Sequence, residues 1–459
     1  QEPSTKALVL CMHLEGSVVS GTPWECEGLP WLQLGEERWM LIDGAALGLG
    51  LLLEPSAGPQ RLAFPAKGDF AFGASTSAYQ IEGAAAQEGR GPSIWDDYCK
   101  VPGRIADKSH GDVACDHYHR FKEDVLTMAR VGLQAYRFSL SWSRLIPRGR
   151  GEVNQLGVRF YNNLIDALVA EGITPWVTLY HWDLPASLER EYDGLLDRKH
   201  RLVGDFGAYA RLAFDLFGDR VKHWITINEP WCAAVLGYLT GEHAPGRQGD
   251  PRTEPYLAAH NMILCHAEAA RIYRELPAEK GGGQLGMSLN AEWREPCDPT
   301  SEKDNAAKQR AMDFQLGWFA DPVWFGDYPR SMRQSVGDRL PHFTPGERAA
   351  LRGSCDFFGL NYYTTQLTSG QRGLQQRPWK DPAADAGGGY FDDLNVSTNR
   401  DLAWQGTDMG WAIVPWGLRK MLEYVSARYM PCDGVVVTEN GAVLEPSGVS
   451  KRGGAGASA

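Results

Sequence analysis

From Asp69 onward, short apolar runs alternate with longer stretches in which apolar residues recur every three or four positions. Runs of the first kind read as buried strands, and the second spacing reads as amphipathic helix. Residues 70–75 form one such run. Phe121, Val125, Met128 and Ala129 then lie on one helical face, and Gly132 suits the left-handed turn that ends a helix. Residues 135–140 follow as a second strand. The unit repeats at once: Tyr161, Leu164, Ile165, Leu168 and Val169 make a stripe, Gly172 stops it, and 176–180 is a third strand. Further strands are predicted at 224–228, 285–290, 357–363 and 435–439. Each connection exceeds the ~10–12 residues that a parallel crossover needs. Buried apolar strands joined through helices imply a parallel sheet, either doubly wound or closed. No Gly-rich phosphate fingerprint follows the first strand, which disfavours a dinucleotide-binding fold. Polar residues crowd the carboxyl ends of the strands, as they do on the catalytic face of a (β/α)8 TIM barrel. That is the predicted fold, with seven of eight strands recognisable.

Three segments follow from this pattern: an amino-terminal extension over 1–63, the barrel over 64–443, and a Gly/Ala/Ser-rich tail over 444–459. Composition narrows the function. Hydrophobic residues make up 43% and charged residues 22%, ordinary for a globular protein. A net charge of −11 without a basic stripe argues against nucleic acid as a partner. No run reaches the ~18 apolar residues of a membrane span. Nine scattered cysteines without a Cys-x-x-Cys pair suggest neither a zinc cage nor a disulfide framework, and lean towards a reducing compartment. The apolar stretch 45–53 is like the core of a signal peptide, but no basic residues follow Met40 to introduce it. The 16 Trp and 17 Tyr would suit a carbohydrate site, because the CH faces of sugars stack on aromatic planes.

Chemistry concentrates at two strand ends. Thr226-Ile227-Asn228-Glu229-Pro230 closes the fourth strand and Val437-Thr438-Glu439-Asn440-Gly441 the seventh. In a barrel these ends converge, so Glu229 and Glu439 form a candidate carboxyl pair. Hydrolysis of a glycoside with retention needs two carboxyls ~5–5.5 Å apart, one protonated and one charged. Asp116, His117 and His119 could suggest a metal, but they border a helix, and no metal or cofactor is expected.

These stretches resemble glycoside hydrolase family one, the β-glucosidase and lactase-like enzymes. The likeness is carried by residues 72–83, 136–144, 180–185, 226–231, 359–363 and 437–441, in family order. The resemblance implies a retaining β-glycosidase acting on a small-molecule β-glycoside through a covalent glycosyl-enzyme. It implies Glu229 as acid/base and Glu439 as nucleophile. Gln80 and His181 are expected at the 3- and 4-hydroxyls of the sugar, and Asn228 at the 2-hydroxyl. Trp182 is expected as a wall. Arg137 and Tyr363 are expected to hold Glu439 ionised and oriented, with Asn361 in support. Glu229 is expected to be raised in pKa by its anionic neighbour, and Glu439 to be lowered by Arg137. A transglycosidase would use the same residues, and a klotho-like binding protein would keep the barrel without turnover. The family's segment on and after the eighth strand, roughly Trp-Ser-Leu-x-Asp-Asn-Phe-Glu-Trp, has no counterpart here. The chain is therefore expected to be truncated before that strand, and less stable than a complete barrel.

Overall fold

Residues that are β-branched or aromatic pack well on a pleated, buried surface, and such runs at Thr174–Tyr180, His223–Asn228 and Val435–Glu439 become strands of the central sheet. The computed structural model describes residues 70–370 and 389–442, together with the backbone of three short strands nearer the amino terminus. The tail over 444–459 and the stretch 45–53 lie outside the described residues. The chain divides into two compact units, residues 1–72 with 130–134, and the remainder. In the first, Thr22–Cys26, Leu29–Gly35 and Arg38–Leu41 form an antiparallel three-stranded sheet.

The second unit holds a near-closed barrel of seven strands: β1 (Gly73–Ser75), β2 (Ala135–Ser139), β3 (Thr174–Tyr180), β4 (His223–Asn228), β5 (Gln284–Asn290), β6 (Phe358–Asn361) and β7 (Val435–Glu439). Each pairs in parallel with its sequence neighbours, so among the described residues β1 and β7 are the outer strands. Helices α1 (His117–Val131), α2 (Gln155–Ala170), α3 (Arg201–Phe217), α4 (Glu254–Arg274) and α5 (Pro415–Tyr429) connect them. Gly132 and Gly172 follow the ends of α1 and α2 with φ of 87° and 71°, the left-handed conformation that glycine adopts without penalty.

Aromatic residues fill the interior between helices and sheet. Trp142 is stacked on Tyr209 at 4.8 Å between centroids, and Trp224 meets Phe214 edge-on. Among the described residues, no helix is long and apolar enough to cross a membrane.

Strand boundaries differ from the sequence reading by up to three residues. Phe70, Ala71 and Phe72 precede β1 rather than extending it. The sixth strand stops at Asn361, because the chain then leaves the barrel. Thr365–Ser369 joins a second sheet instead, parallel to Trp293–Pro296 and antiparallel to Ser397–Asn399. Register shifts interrupt β4 against β5 between Ile225 and Asn228, and β6 against β7 between Leu360 and Asn361. Irregularities of this kind re-aim side chains at strand ends. Both lie beside the carboxyl pair.

Candidate active site

Arg137 stands at the centre of the barrel mouth. It leaves β2 buried, and its guanidinium spends its donors on four other strands. Nη1 donates to Glu439 Oε1 at 2.6 Å, to the Thr438 carbonyl at 3.2 Å and to Ser75 Oγ at 3.2 Å. Nη2 donates to Asn228 Oδ1 at 2.6 Å, and Nε to Thr178 Oγ1 at 3.1 Å. A planar cation with fixed donor directions imposes geometry on its partners.

That geometry propagates. Arginine can only donate, so Asn228 must present its oxygen to Arg137, which fixes the amide orientation. Asn228 Nδ2 then faces His181 Nε2 at 3.0 Å, leaving the imidazole proton on Nδ1. Burial holds the His181 pKa down at about 3, so the ring is neutral. Asn361 Nδ2 donates both to Asn228 Oδ1 at 3.0 Å and to Glu229 Oε1 at 2.9 Å. Its own oxygen accepts from Thr438 Oγ1 at 2.6 Å. One network therefore runs from Glu439 through Arg137, Asn228 and Asn361 to Glu229.

The two carboxyls sit in opposite electrostatic surroundings. Burial raises Glu229 to a pKa of about 7, and the negative charge of Glu439 adds to that. The sequence reading had put the anionic neighbour first; desolvation is the larger cause, since Glu229 is only 6% exposed. Burial is the largest single influence on Glu439 and would raise it as well, but the Arg137 guanidinium and the other groups around the carboxylate together hold Glu439 below its ordinary range. The Tyr363 hydroxyl, donating to Glu439 Oε2 at 2.6 Å, acts in the same direction. One carboxyl that holds a proton and one that is charged, joined through a single network, are the two states that acid and nucleophile chemistry would need.

Backbone conformation at the site departs from the ordinary. Glu229 has φ of 44° and Trp182 of 72°, both left-handed for residues with a Cβ. Such strain gathers where the surrounding structure dictates a side chain's direction. Glu229 is held by its amide donating to the Ser288 carbonyl at 2.8 Å, and Trp182 by its Nε1 donating to the Asn228 carbonyl at 2.9 Å. The chain continues from Glu229 into a π-helical segment, Cys232–Thr240.

Eight of the nine residues singled out in the sequence thus touch one another through this network. Gln80 stands apart: it lies exposed on the short helix Ala78–Ile81, and its Oε1 accepts from Ser77 Oγ at 2.6 Å. Sequence reasoning missed Trp411, which packs on Tyr363 at 5.3 Å between centroids and is 38% exposed. It also missed Thr438, although that residue lies inside a stretch already singled out. Asp116, His117 and His119 form carboxylate–imidazole pairs, His117 with Asp124 and His119 with Asp116, both at 2.6 Å. Among the described residues, no cluster of metal-ligating side chains is present.

Comparison with known proteins places this geometry. The sequence profile described as Glycosyl hydrolase family 1 matches residues 61–451. β-Glucosidase 34 of Oryza sativa subsp. japonica is 48% identical over 397 residues, covering 84% of this chain and 76% of that protein. β-Glucosidase 42 of Arabidopsis thaliana is 48% identical over 382 residues, covering 83% and 76%. Among solved structures, a rice β-glucosidase mutant in a covalent complex with Glc from GA4GE superposes with a TM-score of 0.77 at 45% identity, covering 83% of this chain and 81% of that one. The Thermotoga maritima β-glucosidase bound to glucoimidazole gives 0.72 at 38% identity, covering 82% and 79%.

Proposed function

This chain belongs to glycosyl hydrolase family 1, a (β/α)8-barrel family of retaining β-glycosidases, and from that premise we propose that it hydrolyses terminal β-D-glucosides with Glu439 as nucleophile and Glu229 as acid/base. Glu439 attacks the anomeric carbon, while Glu229 gives its proton to the departing glycosidic oxygen. A covalent glycosyl-enzyme results. Glu229, now ionised, takes a proton from water as the water attacks the same carbon, and Glu439 leaves. Two inversions give net retention.

The observation that supports these roles is the Arg137-centred network. It keeps one carboxyl charged and leaves the other, bonded to Asn361 but not to Arg137, able to hold a proton. Asn228, fixed by Arg137 and Asn361, is offered to the sugar's 2-hydroxyl, where a contact strengthens as the oxocarbenium-like transition state forms. His181 and Gln80 serve the 3- and 4-hydroxyls, and Trp182 walls the sugar. Glucose as the glycone rests on the relatives, which are named as β-glucosidases.

The direct test is to incubate the protein with a 2-deoxy-2-fluoro-β-glucoside bearing a dinitrophenolate leaving group, and to map the labelled peptide. Label on Glu439 is expected. Label on any other carboxylate overturns the assignment.

A further inference from the structure

β6 and β7 pair Leu360 with Val437 and Asn361 with Glu439, so the register passes over Thr438. A residue left out of the ladder in this way can turn its side chain to another partner. Thr438 is buried, and its Oγ1 lies between Ser288 of β5 and Asn361 of β6. Ser288 Oγ donates to Thr438 Oγ1 at 3.0 Å, and Thr438 Oγ1 donates to Asn361 Oδ1 at 2.6 Å. The other end of the Asn361 amide is fixed independently. Arg137 can only donate, so Asn228 Oδ1 is an acceptor, and the Asn361 atom facing it at 3.0 Å must be Nδ2. That leaves Asn361 Oδ1 towards Thr438, its one donor among the described residues. The bonds therefore run one way: Ser288 to Thr438, Thr438 to Asn361, and Asn361 Nδ2 to Glu229 Oε1 at 2.9 Å. In such a chain, a donor to an amide oxygen polarises the amide and strengthens what its N–H group donates.

We propose that Thr438 is a positioning residue for the acid/base: its hydroxyl, backed by Ser288, keeps the Asn361 amide donor on Glu229 Oε1. Without that hydroxyl the buried Asn361 oxygen would have no donor, and a buried acceptor left unpaired is costly. The amide relieves this by turning or shifting, and either movement loosens Nδ2 from Glu229. The Glu229 anion, formed each time its proton passes to the leaving oxygen, then loses part of its support. Thr438 is thus tied to both carboxyls. Its carbonyl accepts from Arg137 Nη1 at 3.2 Å on the Glu439 side, and its side chain acts on Glu229 through Asn361. The titratable and charged groups around Glu229 are Glu439 from β7, Arg137 from β2, Tyr363 beyond β6 and Cys232 on the turn after Glu229 itself. Thr438 carries no charge, and substitution there changes none of them.

This inference rests on Glu229 being the acid/base, and the test separates the two. kcat/KM is measured against pH for phenyl β-glucoside, whose poor leaving group needs a proton. The proteins compared are wild type, Thr438→Val, Thr438→Ser, Asn361→Ala, and the double variant of Thr438→Val with Asn361→Ala. Valine keeps the shape of threonine and removes the hydroxyl, whereas serine keeps the hydroxyl. The alkaline limb is expected to move up by about half a pH unit with valine, the size that one weakened hydrogen bond gives, and to stay in place with serine. The acid limb, set by Glu439, is expected to hold still in both. Asn361→Ala alone should also move the alkaline limb up, and valine added to it should move the limb no further, because residues acting through one another are not additive. An unmoved alkaline limb with valine, an equal displacement with serine, movement of both limbs together, or full additivity in the double variant overturns the proposal. If valine fails to fold, Thr438→Ala, which also lacks the hydroxyl, is read in the same way. Glu229→Gln serves as the control: an alkaline limb that survives in it on phenyl β-glucoside would overturn the acid/base assignment itself, whatever Thr438 does.

Discussion

At the scale of single residues, the site separates two identical side chains by their surroundings. Glu439 has a guanidinium and a phenol on its two oxygens, whereas Glu229 has an amide and little solvent. Glu439→Ala should abolish turnover, and added azide or formate should restore part of it with inverted product. The small anion fills the space left and attacks from the nucleophile's face; the anomer formed, read by NMR, checks this. Glu229→Ala should spare formation of the glycosyl-enzyme from dinitrophenyl β-glucosides, whose leaving group needs no proton, and should slow phenyl β-glucosides by on the order of 10²–10⁴-fold. Equal losses on both substrates would contradict the roles. The pH profile of kcat/KM should be a bell. It falls on the alkaline side as Glu229 loses its proton near a pKa of about 7. It falls on the acid side below the usual carboxylate range, as Glu439 gains one. An alkaline limb beyond pH 9 would contradict the protonated role of Glu229.

Elements aim these residues. The register shifts in β4 and β6 sit immediately before Glu229 and beside Glu439, and the left-handed turn at Glu229 diverts the chain from strand into π-helix. The helices that brace the strand ends tolerate little change. On α2, a Cβ added at Gly157 would lie 2.3 Å from the Arg144 carbonyl, and Arg144 is itself buried in an ion pair with Glu82 at 2.8 Å. Glycine inside a helix ordinarily costs stability, so Gly→Ala there usually gains about 0.5–1 kcal/mol. Here the sign should reverse. Gly157→Ala is expected to lose roughly 1–3 kcal/mol, the range for overpacking, measured by denaturant unfolding. A gain would mean that Arg144 and α2 can part at no cost.

Across the whole molecule, the site depends on strands distant in sequence meeting at one mouth. Arg137 ties Ser75 of β1 to Glu439 of β7, the two outer strands among the described residues. A second buried titratable group lies next to Trp182 in the chain. Asp183 follows Trp182, is 1% exposed, and neither of its oxygens has a hydrogen-bond partner in the protein. Burial pushes its pKa up to about 7; Arg90 lowers it, and Glu82 and Asp96 raise it. Unfolded, the same carboxyl titrates near 3.8. Between those values the folded state binds more protons than the unfolded one, so stability from this group falls as pH rises. The slope from one such group is at most about 1.4 kcal/mol per pH unit. Asp183→Asn should remove it: unfolding free energies measured from pH 4 to 8 should decline less steeply in the variant than in wild type. Identical slopes would show that Asp183 ionises freely inside the fold.

The alternation of strand and helix spacing, and the polar residues that cap each strand, were legible in the sequence because they are local: a buried strand needs an apolar run, and a helix needs its stripe. The pairing of Glu229 with Glu439, and the companions Asn228, His181, Tyr363 and Arg137, followed from motifs that each sit at one strand end. Gln80 was legible as a motif residue but not as an exposed one, since exposure depends on what packs beside it. What only the tertiary structure decided is how the parts act on one another. No spacing shows that Asn361 links both sides of the network, or that Trp411 lies on Tyr363. The order of causes behind the raised Glu229 pKa belongs there too. Removal from water is a property of everything folded around a group, and the residues that exclude the solvent from Glu229 come from across the chain.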